Sequence, residues 1–252
     1  MKTVCCMTSA RRPASELHPA TRGFGLAADA YERGRPDYPQ AAIDWIVERL
    51  GIGPGKTVVD LAAGTGKLTR LLVPTGADVV AVEPIAEMRA KIEGARAVEG
   101  TAEAMPLGDA SADAVTVGQA FHWFRAEDAL AEIRRVLRPG GGLALVWNVR
   151  DESHPLNAGA SAIIAPLEGG VPRGRKRDWA EVIGASETAS FPHEQLLDED
   201  GFAERFLSIS FVAAAPEPAR AEVAERLRAL ARGAETPIRL PYVTEVYLAT
   251  KG

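Results

Sequence analysis

The sequence predicts an α/β fold built on a parallel sheet. Three observations carry that reading. Short β-branched runs alternate with helical stretches, which implies strand–helix–strand units rather than an all-β barrel. The first two strand runs are apolar at almost every position, as expected when both faces of a sheet are covered. Residues 126–137 form a clear amphipathic helix with Glu127 and Asp128 at its start and Arg134, Arg135 and Arg138 at its end, the charge order that a helix dipole favours.

The elements follow in order. Residues 1–22 show no periodic pattern and read as a disordered leader; a single domain is expected over 23–252. The segment Tyr31-Glu32-Arg33-Gly34-Arg35-Pro36-Asp37-Tyr38-Pro39 reads as a loop entering a helix, in which Trp45, Ile46 and Leu50 recur at helical spacing before Gly51 stops it. Strands are expected at 57–61, 79–82, 96–98, 114–117 and 143–146. Helices are expected at 67–73, 86–92 and 126–137, the last stopped by Pro139-Gly140-Gly141. Residues 150–200 are rich in Gly, Pro and charge and read as an insert. Regular structure is expected again at 206–212, as a helix near 218–231 and as a last strand near 243–248.

Composition sets further bounds. The 252 residues can bury a sizeable core, and 46% hydrophobic with 25% charged residues suits a soluble globular chain. A net charge of −5 argues against a partner gripped through its phosphates, so no nucleic acid is expected. No stretch approaches the ~20 apolar residues that span a bilayer, so no membrane partner is expected. The apolar run after Lys2 is short and broken by Thr8 and Ser9, unlike a secretory signal. Cys5 and Cys6 are adjacent and imply no disulfide framework, which fits a cytoplasmic protein. The four histidines, at 18, 122, 154 and 193, form no metal-ligand spacing, and no metal is expected.

Two sites suggest chemistry. Asp60-Leu61-Ala62-Ala63-Gly64-Thr65-Gly66 follows the first strand as a turn of small residues, which lets backbone approach a ligand closely. Such turns also serve plain strand-to-helix packing. The second strand ends in Glu83, about twenty residues on, where a carboxylate can accept hydrogen bonds from ribose hydroxyls.

Together these residues resemble the class I S-adenosylmethionine-dependent methyltransferases, and more closely their type 11 family, from about Phe24 to the C-terminus. The resemblance implies a Rossmann-like, mostly parallel seven-stranded sheet with flanking helices and a small cap. It implies S-adenosylmethionine as cofactor and a small-molecule methyl acceptor as partner. Asp60 would hold the amino group of the cofactor's methionine part, with Gly64 and Gly66 beside it. Ala62 stands where the family usually has its first glycine, and a positive φ there would disfavour alanine. Gly100-Thr101-Ala102-Glu103-Ala104-Met105-Pro106-Leu107 resembles the segment beside adenine, with Ala102 and Glu103 as contacts. Gly118-Gln119-Ala120-Phe121-His122-Trp123-Phe124 resembles the fourth motif, where Gln119 or the adjoining backbone would face the cofactor and the next residues the substrate. Tyr31 and Arg35 belong to a segment similar to an N-terminal signature in bacterial methyltransferases and in fungal enzymes that methylate small carboxylic acids. Arg35, rather than Arg33, would pair with the methionine carboxylate.

His122 is the candidate catalytic residue, as general base or orienter, since imidazole titrates near neutral pH; packing beside Trp123 and Phe124 is the alternative. Phe121, Trp123 and Phe124 either wall a pocket or enter the core. The basic run Arg173 to Arg177 reads as a solvated loop or an anion-attracting patch. Two other functions remain open: a non-catalytic S-adenosylmethionine-binding protein, and an NAD(P)-dependent oxidoreductase. The second would call for a third glycine near Thr69, where the chain has Lys67-Leu68-Thr69-Arg70.

Overall fold

The computed structural model describes residues 34–168 and 178–252. Tyr31 and the basic run lie outside the described residues. Seven strands form one sheet: β1 (Thr57–Leu61), β2 (Asp78–Val82), β3 (Arg96–Val98), β4 (Ala112–Gly118), β5 (Leu137–Arg150), β6 (Glu187–Leu197) and β7 (Ile238–Thr250). Their order is β3-β2-β1-β4-β5-β7-β6. The first five are parallel, and β7 runs antiparallel to both neighbours.

Alternate residues of each central strand enter opposite cores. On one face, Val59, Leu61, Val80, Val115 and Leu145 pack against α4 (Ala126–Val136) and α6 (Trp179–Ile183). On the other, Val58, Val79, Ala114 and Val146 pack against α1 (Gln40–Leu50) and α2 (Lys67–Leu72). The short α3 (Ala86–Arg89) follows β2. Gly51 ends α1 at φ 59°; its N–H reaches back to the Glu48 carbonyl and the Ile52 N–H to the Val47 carbonyl, as a left-handed helix stop requires. A third core joins α5 (Pro155–Ile164), α7 (Glu199–Leu207), α8 (Ser210–Ala213) and α9 (Glu217–Ala231) to Ile238, Leu240 and Tyr242 of β7.

Several expectations are corrected. The stretch 150–200 contains α5, α6 and the edge strand β6. The residues expected at 206–212 are the end of α7 and most of α8. Pro139-Gly140-Gly141 does not separate a helix from a later strand. β5 begins at Leu137, and a register shift between Ala112 and Ala114, with Gly140 at φ 77°, absorbs the irregular backbone. The 86–92 helix shrinks to Ala86–Arg89. Among the described residues, no helix is long and apolar enough to cross a membrane, and no cluster of three metal-ligating side chains occurs.

Candidate active site

The cleft lies outside the carboxyl ends of β1 and β4. Connections leave these neighbouring strands toward opposite ends of the sheet, so their helices diverge and open a crevice there. Both strands are followed at once by a non-glycine residue of left-handed conformation, Ala62 at φ 55° and Gln119 at φ 58°. Each costs about 1–3 kcal/mol of backbone strain, which folds tolerate mostly where function needs the geometry. Ala62 therefore does adopt the conformation that suits glycine. Gly64 (φ 60°) and Gly66 (φ 88°) complete the turn. No atom lies within 4 Å of a Cβ built on Gly64, so that backbone is open.

Asp60 points toward α2 and lines the cleft while only 1% exposed. Its carboxylate accepts from Thr69 Oγ1 at 2.5 Å and Thr116 Oγ1 at 3.2 Å. Burial outweighs these bonds and raises its pKa to about 6. Glu83 is also buried. Its Oε2 accepts the Gly64 N–H at 2.8 Å and its Oε1 the Ile85 N–H at 2.9 Å, so it ties the β1 turn to the end of β2. Burial likewise pushes its carboxyl upward. Each oxygen still has a second lone pair for a ligand hydroxyl.

The remaining predicted residues spread along the same edge of the sheet. Ala102 is 4% exposed in the core facing α4. Glu103 Oε1 accepts the Arg125 N–H at 3.0 Å, joining its loop to the start of α4. Glu132 fastens the same loop, accepting Met105 N–H at 2.8 Å while paired with Arg135. Gln119 donates from Nε2 to the Asn148 carbonyl at 3.3 Å. Arg35 lines the cleft together with Gln119, Asp60 and Ala62.

The segment 34–39 forms a strap over this cleft. Asn148 Nδ2 donates to the Pro36 and Asp37 carbonyls, Lys67 Nζ pairs with Asp37 at 2.8 Å, and Gln195 donates to the Gly34 carbonyl. A Cβ on Gly34 would sit 2.8 Å from the Glu204 carbonyl oxygen, so glycine is needed for the strap to lie on α7. A Cβ on Gly118 would likewise meet the Tyr38 hydroxyl at 2.5 Å.

His122 sits in the turn Phe121–Trp123, half-buried, with ring contacts to Trp123 at 4.4 Å and Trp147 at 5.5 Å. The aromatic run divides: Phe121 is buried in the core, whereas Trp123 and Phe124 lie at its margin. Trp147 and Trp179 stack at 5.0 Å and 11°.

Sequence reasoning missed Asn148, Arg205, Trp147 and Trp179. Asn148 and Arg205 line the cleft, and Trp147 lies against His122. They come from β5, α6 and α7, and no local pattern marked them. The strand order offered a test of the dinucleotide alternative. β7 between β5 and β6 departs from the 3-2-1-4-5-6 order of that fold.

Known proteins agree with this architecture. A family profile described as a methyltransferase domain matches residues 59–145. A methyltransferase-like protein of Schizosaccharomyces pombe, described as uncharacterized, is 34% identical over 212 residues, 80% of this chain and 83% of its own. An uncharacterized methyltransferase of Mycobacterium tuberculosis is 53% identical over 150 residues, which span 58% of each chain. The solved structure of a candidate type II methyltransferase from Anaeromyxobacter dehalogenans superposes with a TM-score of 0.64 at 25% identity, covering 86% of this chain and 97% of that one. The fold is thus that of the Rossmann-like methyltransferases. This chain belongs to the class I methyltransferases of the type 11 family.

Proposed function

We propose that this protein transfers a methyl group from S-adenosylmethionine to a small-molecule acceptor, with residues 23–252 acting as one domain in the cytoplasm. The observation that carries the reading is the pair Ala62 and Gln119. They directly follow neighbouring strands in strained left-handed conformations, on one cleft that also holds the buried Asp60. The side chains fit that cofactor. Asp60 suits an ammonium, Arg35 suits a carboxylate, and the open backbone at Gly64 suits close passage of a chain. Glu83 keeps lone pairs for ribose hydroxyls, and Ala102 and Glu103 would contact the adenine. Tyr31 would join Arg35.

When bound, S-adenosylmethionine supplies a methyl group activated by a positively charged sulfur. The protein's share is position and exclusion of water. The strap 34–39 and α7 cover the cleft, and Asn148 locks the strap to β5. His122, held against Trp123 and Trp147, orients the acceptor or takes its proton. If it takes the proton, His122→Gln lowers turnover by roughly 10²-fold or more and removes a limb of the pH–rate profile. An unchanged pH profile eliminates the base role.

Calorimetry with S-adenosylmethionine, S-adenosylhomocysteine and NAD tests the cofactor. Micromolar binding of the first two alone is expected, and absence of binding at millimolar concentration refutes the reading. Labelled-methyl transfer into a cell extract then tests catalysis. Tight binding without transfer would leave a non-catalytic binder.

A further inference from the structure

Two side chains in the buried row of β7 carry hydroxyls, Tyr242 and Thr244, among Ile238, Leu240, Val246 and Leu248. The Tyr242 hydroxyl accepts from Arg205. Thr244 is 0% exposed, and a hydroxyl so placed is costly unless it is bonded. It has a neighbour on each side. Its partner in the β5 register is Asn148, whose Oδ1 accepts the Thr244 hydroxyl at 2.6 Å. On β6, His193 Nδ1 lies 3.4 Å from the same oxygen. A hydroxyl has a single hydrogen. With that hydrogen given to Asn148, the Thr244 oxygen is the acceptor toward His193. A polar row, Asn148, Thr244 and His193, thus crosses three strands.

The direction of these bonds decides what Asn148 can do. An amide has its acceptor at one end and two hydrogens at the other. With Oδ1 held by Thr244, Nδ2 donates to the Pro36 and Asp37 carbonyls of the strap at 3.3 and 3.2 Å. Turned over, the amide would set its oxygen against two carbonyl oxygens and release the strap. The backbone carbonyl of Asn148 meanwhile accepts from Gln119 Nε2 at 3.3 Å. One residue of β5 therefore touches both the strained turn after β4 and the strap. Thr244, buried behind the cleft lining, sets how its amide is turned.

Building on the methyltransferase reading, we infer that Thr244 is a positioning residue for cofactor binding. It acts through the Asn148 amide, which holds the strap that carries Arg35 over the cleft.

The test uses the full chain and two readouts: the calorimetric Kd for S-adenosylmethionine, and deuterium exchange of the strap amides, which needs no cofactor. Thr244→Val loses the hydroxyl. It is expected to raise Kd roughly three- to tenfold and to quicken strap exchange, while β1 exchanges as in the parent. Thr244→Ser keeps the hydroxyl and should hold both readouts near parent values. Asn148→Asp turns a carboxylate toward the two strap carbonyls and should raise Kd more than Thr244→Val does. In an Asn148→Ala background, Thr244→Val should change neither readout further. Thr244→Ala takes its place if Thr244→Val fails to fold. Parent values of Kd and strap exchange without the hydroxyl overturn the proposal, as does a rise in Kd without quickened strap exchange. An effect that persists in full in the Asn148→Ala background also overturns it, because Thr244 would then act by packing and not through the amide. Failure of the unaltered chain to bind S-adenosylmethionine removes the methyltransferase reading and the cofactor role with it; strap exchange in Thr244→Val would still tell a working relay from an absent one.

Discussion

The two ends of the sheet are built differently. β1 and β2 are five-residue parallel strands in which four of five residues are buried, because α-helices cover both faces. β7 is a 13-residue antiparallel strand whose buried residues strictly alternate from Ile238 to Leu248. The parallel end provides backbone turns that converge on one point. The antiparallel end provides side chains, Arg205 and Tyr242 among them, carried on a cap with its own core. The cleft therefore takes its strained turns from the backbone of one half and part of its side-chain lining, Asn148 and Arg205, from the other.

The largest effects should come from cutting either core. Leu61→Ala in the parallel half and Leu227→Ala in the cap each remove a fully buried side chain, at a cost of about 2–5 kcal/mol. Both should lower the midpoint of a single denaturant transition, because β7 belongs to two cores at once. Two separated transitions in Leu227→Ala would show that the halves are independent.

Next comes pH. Asp60 has a native pKa of about 6, against an ordinary 3.8. The native state then holds its proton more tightly than the unfolded chain, so ligand-free stability falls as pH rises from about 4 through 6. The cost, on the order of 2–3 kcal/mol, is fully present above that window and absent below it. Glu83, raised in the same direction, adds to the slope. Chemical unfolding from pH 4 to 7 should show a visibly flatter decline in Asp60→Asn.

Glu83→Gln tests the tie between β1 and β2. It turns one carboxylate oxygen into a donor facing the Gly64 or Ile85 N–H, and should destabilise by about 1–3 kcal/mol. Equal melting temperatures for the variant and the parent would deny the tie. The smallest effect has the opposite sign. Ala62→Gly relieves a left-handed alanine at φ 55° and should stabilise by up to about 1 kcal/mol, readable as a small rise in melting temperature. No such gain is expected from an alanine-to-glycine change in α9, where glycine costs about that amount.

The same contrast explains what could be read from the sequence. The strands of the parallel half announce themselves as apolar runs because both faces are covered. β6 has no fully buried residue, alternates exposed with half-buried positions and contains Pro192. Proline is tolerated there because β6 is an edge strand. Asp60, Gly64, Gly66 and Glu83 stood out because the turn and strand end that carry them are local features. Arg205 and Asn148 reach the cleft only through tertiary packing. An isolated arginine in a helix such as Glu-Arg-Phe-Leu looks like surface charge until Tyr242 is folded over it.

The place of β7 also bears on how the chain folds. β5 and β6 never pair with each other; each is joined to the sheet's far end only through the strand made after both. Before Ile238–Thr250 emerges from the ribosome, β5 has one open edge and β6 has no partner at all. The cap helices meanwhile lack the apolar face of Ile238, Leu240 and Tyr242. Such long-range closure is slow and leaves strand edges exposed. Completion of this fold therefore waits on the synthesis of that one strand, and chains stalled before it should be the ones that chaperones hold.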